Sequence, residues 1–199
     1  MEEILMSLAM ASPAQSVQPV PSATVPQLAD TAADWLEGLE NACLGQGLPA
    51  EAELALRLAS VAYHAEEAES EQHLLRAFDL APEHPATHIA LYRFYFYRNR
   101  LAEALTVGLR CLTHAAAMNG LAADWQSVTP DQADFDEYSA LPRFYLFTLK
   151  GCAYLNLRLG NLDHGGEMLA KLMALDARDR VGGSVLQGVL DRMGEDDDD

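Results

Sequence analysis

From about residue 31 onward, apolar positions recur every three or four residues in stretches dominated by Ala, Leu, Glu and Arg. This spacing predicts helices over 31–44, 50–65, 67–80, 85–98, 101–117, 143–159, 162–175 and 179–192. Turn signals separate them at Gly45 to Gly47, Pro82 to Pro85, Asn99 and Gly160-Asn161. No segment shows the period-two alternation of a strand. Short helices joined by tight turns form antiparallel hairpins, so the expected class is all-α.

The hairpins repeat. In HPATHIALYRFYFYRNRLAEALTVGLRCLTHA, residues 84–115, Tyr95 follows Leu91 by four positions, Ala104 comes nine later and Cys111 seven after that. Thirty-four positions before Cys111 stands Ala77, in LLRAFDLAP, with Pro82 closing that stretch. A third unit, LKGCAYLNLRLGNLDHGGEMLAKLMALDARD over 149–179, carries Gly151, Ala153 and Tyr154 ahead of a turn at Gly160-Asn161-Leu162. These positions resemble a tetratricopeptide repeat, a helix-turn-helix in which small residues let two helices cross closely while large ones fill the gap. The third unit departs from the pattern: its first helix is two residues longer, Gly165 stands where alanine is usual, and position 177 is Ala instead of Pro. The earliest unit, 50–83, keeps the pattern only in its second half. The resemblance covers about residues 50–180 and implies a short solenoid of stacked hairpins, with 31–48 and 179–192 as capping helices.

The separation of Leu80 and Leu175 exceeds two periods by 27 residues. The extra segment, about 117–142, holds five carboxylates, no Lys or Arg, and the aromatics Trp125, Phe135 and Tyr138. Two readings stand: a lid that closes over a groove or contacts a partner, and a helical extension that packs its aromatics on the stack.

The resemblance implies a concave face lined by the first helix of each repeat, with a partner segment lying in it. Its register directs Ile89, Arg93, Phe96 and Tyr97 into that groove and packs Leu91, Tyr95 and Ala104. Five of the six residues from Tyr92 to Tyr97 are aromatic, and Arg93, Arg98 and Arg100 lie among or beside them. With only 13 Lys plus Arg against 30 Asp plus Glu, three arginines in eight positions make a local basic, aromatic surface. That surface suits an acidic or carboxylate-bearing segment, or a helix, of another protein. Alternatively, Tyr92 and Phe94 pack on neighbouring hairpins and the arginines pair with the chain's own carboxylates.

A net charge of -17 repels nucleic-acid backbones and anionic lipid, so neither is an expected partner. No apolar run reaches the roughly 18 residues of a membrane span, and Met1-Glu2-Glu3 lacks the basic flank of a secretory signal. Cys43, Cys111 and Cys152 are odd in number and sit in apolar helical sequence, as reduced thiols do. A cytoplasmic location is expected. The chain is organised as a flexible Pro-rich leader over 1–30, a helical domain over 31–192 and an acidic tail over 193–199.

His84 with His88 and Cys111 with His114 have ligand-like spacing, but the first pair straddles the Pro85 turn and Cys111 falls where the repeat needs a small buried residue. No phosphate loop or nucleophile motif stands out. We therefore expect no metal, cofactor or catalytic residue, and read the chain as a non-enzymatic adaptor, chaperone or assembly factor. A metal carrier using His and Cys is the alternative of a different class. Secretion-system chaperones are similar in size. The stretch from Leu149 to Arg192 with its acidic tail also resembles small repeat proteins that accompany bacterial nitrogen-fixation genes. That resemblance implies a nitrogenase accessory or assembly role with a metalloenzyme partner.

Overall fold

The computed structural model describes residues 47–195 apart from His64 and Tyr138, and every regular element among them is helical. In chain order they are α1 (Ala50–Ala62), α2 (Glu67–Leu80), α3 (Pro85–Tyr97), α4 (Leu101–Met118), α5 (Ala140–Arg158), α6 (Leu162–Leu175) and α7 (Gly183–Glu195). A single 3-10 turn, Trp125–Ser127, lies between α4 and α5. The all-α class is as the periodicity predicts. The expected helix over 31–44, the leader over 1–30, Cys43 and residues 196–199 of the tail lie outside the described residues. The chain divides into two compact units, one through Ala104 and one from Leu105.

In the first unit, α1 turns Ala52, Ala55, Leu56, Ala59 and Ala62 inward. Four alanines on one face leave room for a close neighbour, and α2 answers with Ser70, Leu74 and Ala77. The approach brings Ser70 Oγ close enough to donate to the Ala59 carbonyl at 2.9 Å. Between α2 and α3, the Phe78 and His88 rings meet edge-on at 4.9 Å, Tyr95 OH donates to Glu71 at 3.0 Å and Arg98 donates to Glu67 at 2.6 Å. Residue numbers rise along one helix as they fall along the other, so the pair is antiparallel.

The α2–α3 turn is held by its polar residues. His84 caps α3, its Nδ1 accepting from the Ala86 amide at 3.2 Å, and Pro85 takes the first helical position, where a missing N–H costs nothing. Thr87 Oγ1 lies 2.8 Å from both the Ala81 and His84 carbonyls, and His88 Nε2 donates to the Pro82 carbonyl at 2.7 Å.

The second unit is built on α5 and α6, which are antiparallel by the same criterion: Asn156 Nδ2 meets Met168 Sδ at 3.5 Å and Gly165 faces Leu157. Phe144, Tyr145, Leu146, Leu149, Leu155, Met168, Leu169 and Leu172 form its core. Cys111 and Cys152 are buried, and burial pushes the Cys152 thiol far above the usual thiol range.

Helix α1 ends at Ala62 where 65 is expected and α7 runs to Glu195, beyond 192 and into the expected tail; two helix starts also differ from the sequence expectation, for physical reasons. Helix α5 begins at Ala140, three residues early, because Pro142 falls in the first turn, where its absent N–H is an orphan position. Helix α7 begins at Gly183 instead of 179. Here the Asp176 carboxylate accepts from the Val181 amide at 2.8 Å, Asp179 and Gly182 adopt positive φ of 52° and 71°, and Asp179 accepts from Ser184 N at 3.0 Å and from the Ser184 hydroxyl. A continuous helix from 179 would forfeit these bonds.

Gly165, which stands where alanine is expected, marks a close approach of α5 and α6. A Cβ there would lie 2.7 Å from Leu157 Cδ2 and 3.0 Å from the Leu157 backbone nitrogen. Alanine ordinarily gains about 1 kcal/mol over glycine inside a helix, but overpacking against a backbone atom costs about 1–3 kcal/mol or more. Gly165→Ala is therefore expected to destabilise by about 1–2 kcal/mol in urea unfolding. An unchanged or raised midpoint would show that the crossing has slack.

Candidate functional site

Helix α3 has apolar side chains on every side, and ten of its 13 residues are buried, from Pro85 to Leu91 and from Arg93 to Tyr95. A helix of this kind is central to its unit, not a surface helix. Ile89 is 1% and Arg93 5% exposed, so neither is offered to solvent, whereas Phe96, Tyr97, Arg98 and Arg100 are half-buried. Leu91, Tyr95 and Ala104 are buried, as the repeat register implies.

Arg98 and Arg100 are engaged within the first unit. Arg98 donates to Glu67 at 2.6 Å and to the Tyr63 carbonyl at 2.6 Å, with its guanidinium 4.9 Å from the Tyr63 ring and 5.3 Å from Phe94. Tyr63 is the C-cap of α1 and Glu67 starts α2, so one side chain at the end of α3 ties three helices, placing positive charge at a helix C-terminus. Arg100 makes a two-pronged pair with Glu71 at 2.6 and 3.0 Å, bonds Glu103 at 3.0 Å and lies 4.6 Å from the Tyr95 ring centroid. The Arg100 hydrogen bonds hold Glu71 below the usual carboxylate range, and burial with the Glu71 bond pushes Tyr95 up to about 12. Of the two readings of these arginines, the geometry of Arg98 and Arg100 is that of internal pairing.

Arg93 differs. Its Nη2 reaches the Tyr97 hydroxyl at 3.5 Å and its guanidinium lies 5.6 Å from that ring, while Nη1 has no hydrogen-bond partner among the described residues. Beside it, Tyr92 stacks on Phe96 at 5.9 Å and Phe96 meets Tyr97 edge-on at 5.5 Å. The result is a row of half-buried aromatics, Tyr92, Phe96 and Tyr97, at the C-terminal half of α3 with a buried cation behind it.

The segment after α4 is neither a continuation of that helix nor a new α-helix. Gly120 takes a φ of 67°, Asn119 Nδ2 donates to the Ala115 and Leu141 carbonyls at 2.8 and 3.0 Å, and the chain crosses α6 in an irregular path. Lys171 Nζ holds that path, donating to the Gln126 and Val128 carbonyls at 2.8 and 2.9 Å. Phe135 is buried with its ring 6.1 Å from Tyr145, and Val128 is fully buried. Trp125 is half-buried, edge-on to His164 at 5.6 Å; Tyr138 lies outside the described residues. Of the proposed lid residues, Phe135 is thus a core residue of the second unit. The Tyr145 hydroxyl beneath it is buried without a partner among the described residues, and burial raises its pKa.

Sequence reasoning missed Lys150. Its side chain is buried in α5, and Nζ donates to the Val181 carbonyl at 2.5 Å, close to where a Cβ on Gly182 would sit. Burial lowers its pKa, opposed by Asp179 and Asp176. The available signal was a lone cation within the apolar run from Phe144 to Leu155. Lys171, by contrast, had no signal, because a lysine on an amphipathic helix reads as solvent-facing. The His84–His88 spacing belongs to the turn bonds described above. Among the described residues no group of three His, Cys, Asp or Glu is placed to hold a metal ion. None of the described helices is long and apolar enough to cross a membrane.

The chain is similar to the uncharacterized 19.8 kDa protein in the nifW 5' region of Azotobacter chroococcum mcd 1. The two are 37% identical over 126 residues, 62% of this chain and 71% of that protein. No protein-family model and no solved structure matches the chain, so the tetratricopeptide resemblance rests on the residue spacing and the hairpins alone.

Glu71 binds its proton less readily folded than unfolded, so the stability it contributes is complete above the unfolded value of about 4.3 and is lost as pH falls through the lower folded value. The stability gap between the protein and Glu71→Gln should therefore narrow as pH falls from about 5 to below 4. A gap that stays constant would detach Glu71 from the acid transition. Tyr145→Phe removes a hydroxyl without a described partner and should be neutral or stabilising by up to about 1 kcal/mol in thermal unfolding. A clear loss would reveal a bond to that oxygen.

Proposed function

The chain belongs to the family of the uncharacterized 19.8 kDa protein in the nifW 5' region of Azotobacter chroococcum mcd 1, and from that premise we propose that it is a non-enzymatic protein-binding scaffold, an accessory or assembly factor of nitrogen fixation. The observation that carries the binding role is the aromatic row at the end of α3. Tyr92 and Tyr97 each pack on Phe96, all three are half-buried, and Arg93 lies behind them with no partner for Nη1 among the described residues. Tyrosine and arginine are enriched among the residues that dominate protein interfaces, tyrosine because its ring buries a large area with few rotatable bonds and arginine because its planar guanidinium bonds and stacks at once.

The partner chemistry narrows accordingly. With Arg98 and Arg100 committed to Glu67, Glu71 and Glu103, a broadly acidic partner segment would meet no run of open cations there. The favoured partner is an apolar or aromatic segment, or one face of a helix, with a single carboxylate beside Tyr97 and Arg93. The tetratricopeptide-like hairpins support this reading, since antiparallel hairpins present such faces to partner segments. A non-enzymatic role is supported by the use made of the perturbed groups: Glu71, Lys150 and Asp179 are each bonded to a neighbouring element. The nifW-region relative favours a partner among the products of nitrogen-fixation genes.

The test is co-purification of the tagged full chain from a host grown under nitrogen-fixing conditions, beside a Phe96→Ala, Tyr97→Ala double variant. One stoichiometric partner encoded by the nitrogen-fixation genes, lost on double substitution while the melting temperature falls by only a few degrees, is the expected result. Equal capture by the variant would remove the α3 row from the interface.

A further inference from the structure

Arg93 is a buried cation without an anion. The residue is 5% exposed, and Nη1 has no hydrogen-bond partner among the described residues. Nη2 reaches the Tyr97 hydroxyl at 3.5 Å, the long limit of a hydrogen bond. No carboxylate among the described residues forms an ion pair with Arg93, although the chain has 30 Asp plus Glu against 13 Lys plus Arg. Its neighbours differ: Arg98 and Arg100 hold Glu67 and Glu71 at 2.6 Å each. Burying a charge without its counter-charge is destabilising, whereas an apolar side chain of similar length carries no such cost. Packing alone therefore gives no reason for an arginine at this position. An anion arriving from outside the chain does, because a guanidinium presents five N–H groups in a planar fork that matches the two oxygens of a carboxylate.

The covering group is Tyr97. It stands one helical turn beyond Arg93, with its ring centroid 5.6 Å from the guanidinium, and it is half-buried. It is also the last residue of α3: the backbone leaves the helix at Arg98 and takes a φ of 57° at Asn99. Rotating the Tyr97 side chain gives up the 3.5 Å hydroxyl contact and the edge-on contact with Phe96, and it breaks no backbone hydrogen bond.

We propose that Arg93 is the receptor for a single carboxylate of the partner segment, closed in the free protein by the Tyr97 ring and opened when that ring turns aside; this rests on the α3 row being the partner surface. The site is kept at a cost in stability, and it sets specificity. A segment with an amide in place of the carboxylate leaves the guanidinium buried and unpaired, and is rejected for that reason.

The tests use the full chain. Arg93→Met keeps the reach of the side chain and removes its charge, so its melting temperature is expected to lie about 2–4 °C above that of the unaltered protein. Replacing sodium chloride by sodium acetate at equal ionic strength is expected to raise the melting temperature of the protein but not of Arg93→Met, a comparison in which general salt effects cancel. Tyr97→Ala is expected to reach half of the acetate-dependent rise at a several-fold lower concentration. In co-purification under nitrogen-fixing conditions, Arg93→Met is expected to lose the partner. An Arg93→Met protein that melts at the same or a lower temperature, or fails to fold, would place the counter-charge inside the fold and overturn the proposal. An equal response of both proteins to acetate would do the same, as would a larger Arg93-dependent rise in sodium phosphate, which would make the ligand a phosphoryl group. An unchanged or higher half-rise concentration in Tyr97→Ala would overturn the cover. Partner capture by Arg93→Met alongside its loss from the Phe96→Ala, Tyr97→Ala variant would remove the carboxylate receptor and leave the partner surface standing; capture by both would remove the two together.

Discussion

Two helix pairs, α1 with α2 and α5 with α6, approach each other where side chains are smallest, and the packing around them depends on that. Ala52, Ala55, Ala59 and Ala62 on α1 meet Ser70 and Ala77 on α2, close enough that a serine hydroxyl reaches a backbone carbonyl of the neighbouring helix. Gly165 meets Leu157 with no room for a methyl group. When backbones approach this closely, large side chains are displaced to the flanks of each hairpin and fill the space beside it. Leu91, Phe94 and Tyr95 on α3, and Phe144, Tyr145 and Leu149 on α5, are those large residues.

The second organising feature is how a chain with few cations uses them. Arg98 joins the end of α1, the start of α2 and the end of α3, and Arg100 joins α2 to the start of α4. Lys150 holds the loop before α7, and Lys171 holds the irregular segment across α6. In each case the cation satisfies carbonyls or carboxylates contributed by separate elements, which an acidic chain has in excess. Exposed ion pairs contribute little individually, but a guanidinium that bonds a carboxylate and a carbonyl while lying over an aromatic ring combines three interactions in one place. The basic surface expected from Arg93, Arg98 and Arg100 thereby becomes an aromatic surface with one buried cation.

Helix positions were legible because a buried face imposes a period that local reading detects, and the small residues at Ala77, Ala104 and Ala153 are buried where the repeat spacing places them. Boundaries shifted where side chains bonded the backbone across several residues, as Asp176 and Asp179 do before α7. The aromatic run of the candidate site was visible in the sequence, but the burial of its members was not. Five aromatics in six residues point to α3, yet which of them faces outward depends on how many sides of that helix are covered. Ile89 and Arg93 are covered; Phe96 and Tyr97 are only half so.

The sequence by itself therefore determined the all-α class and the hairpin order, since these follow from periodicity and side-chain size within a few dozen residues. The tertiary structure alone decided which charges are spent internally, why Gly165 is not alanine, and that Phe135 belongs to a core. Those outcomes depend on atoms brought together from distant parts of the chain, as Lys171 and Val128 are across 43 positions, and no local pattern encodes such a meeting.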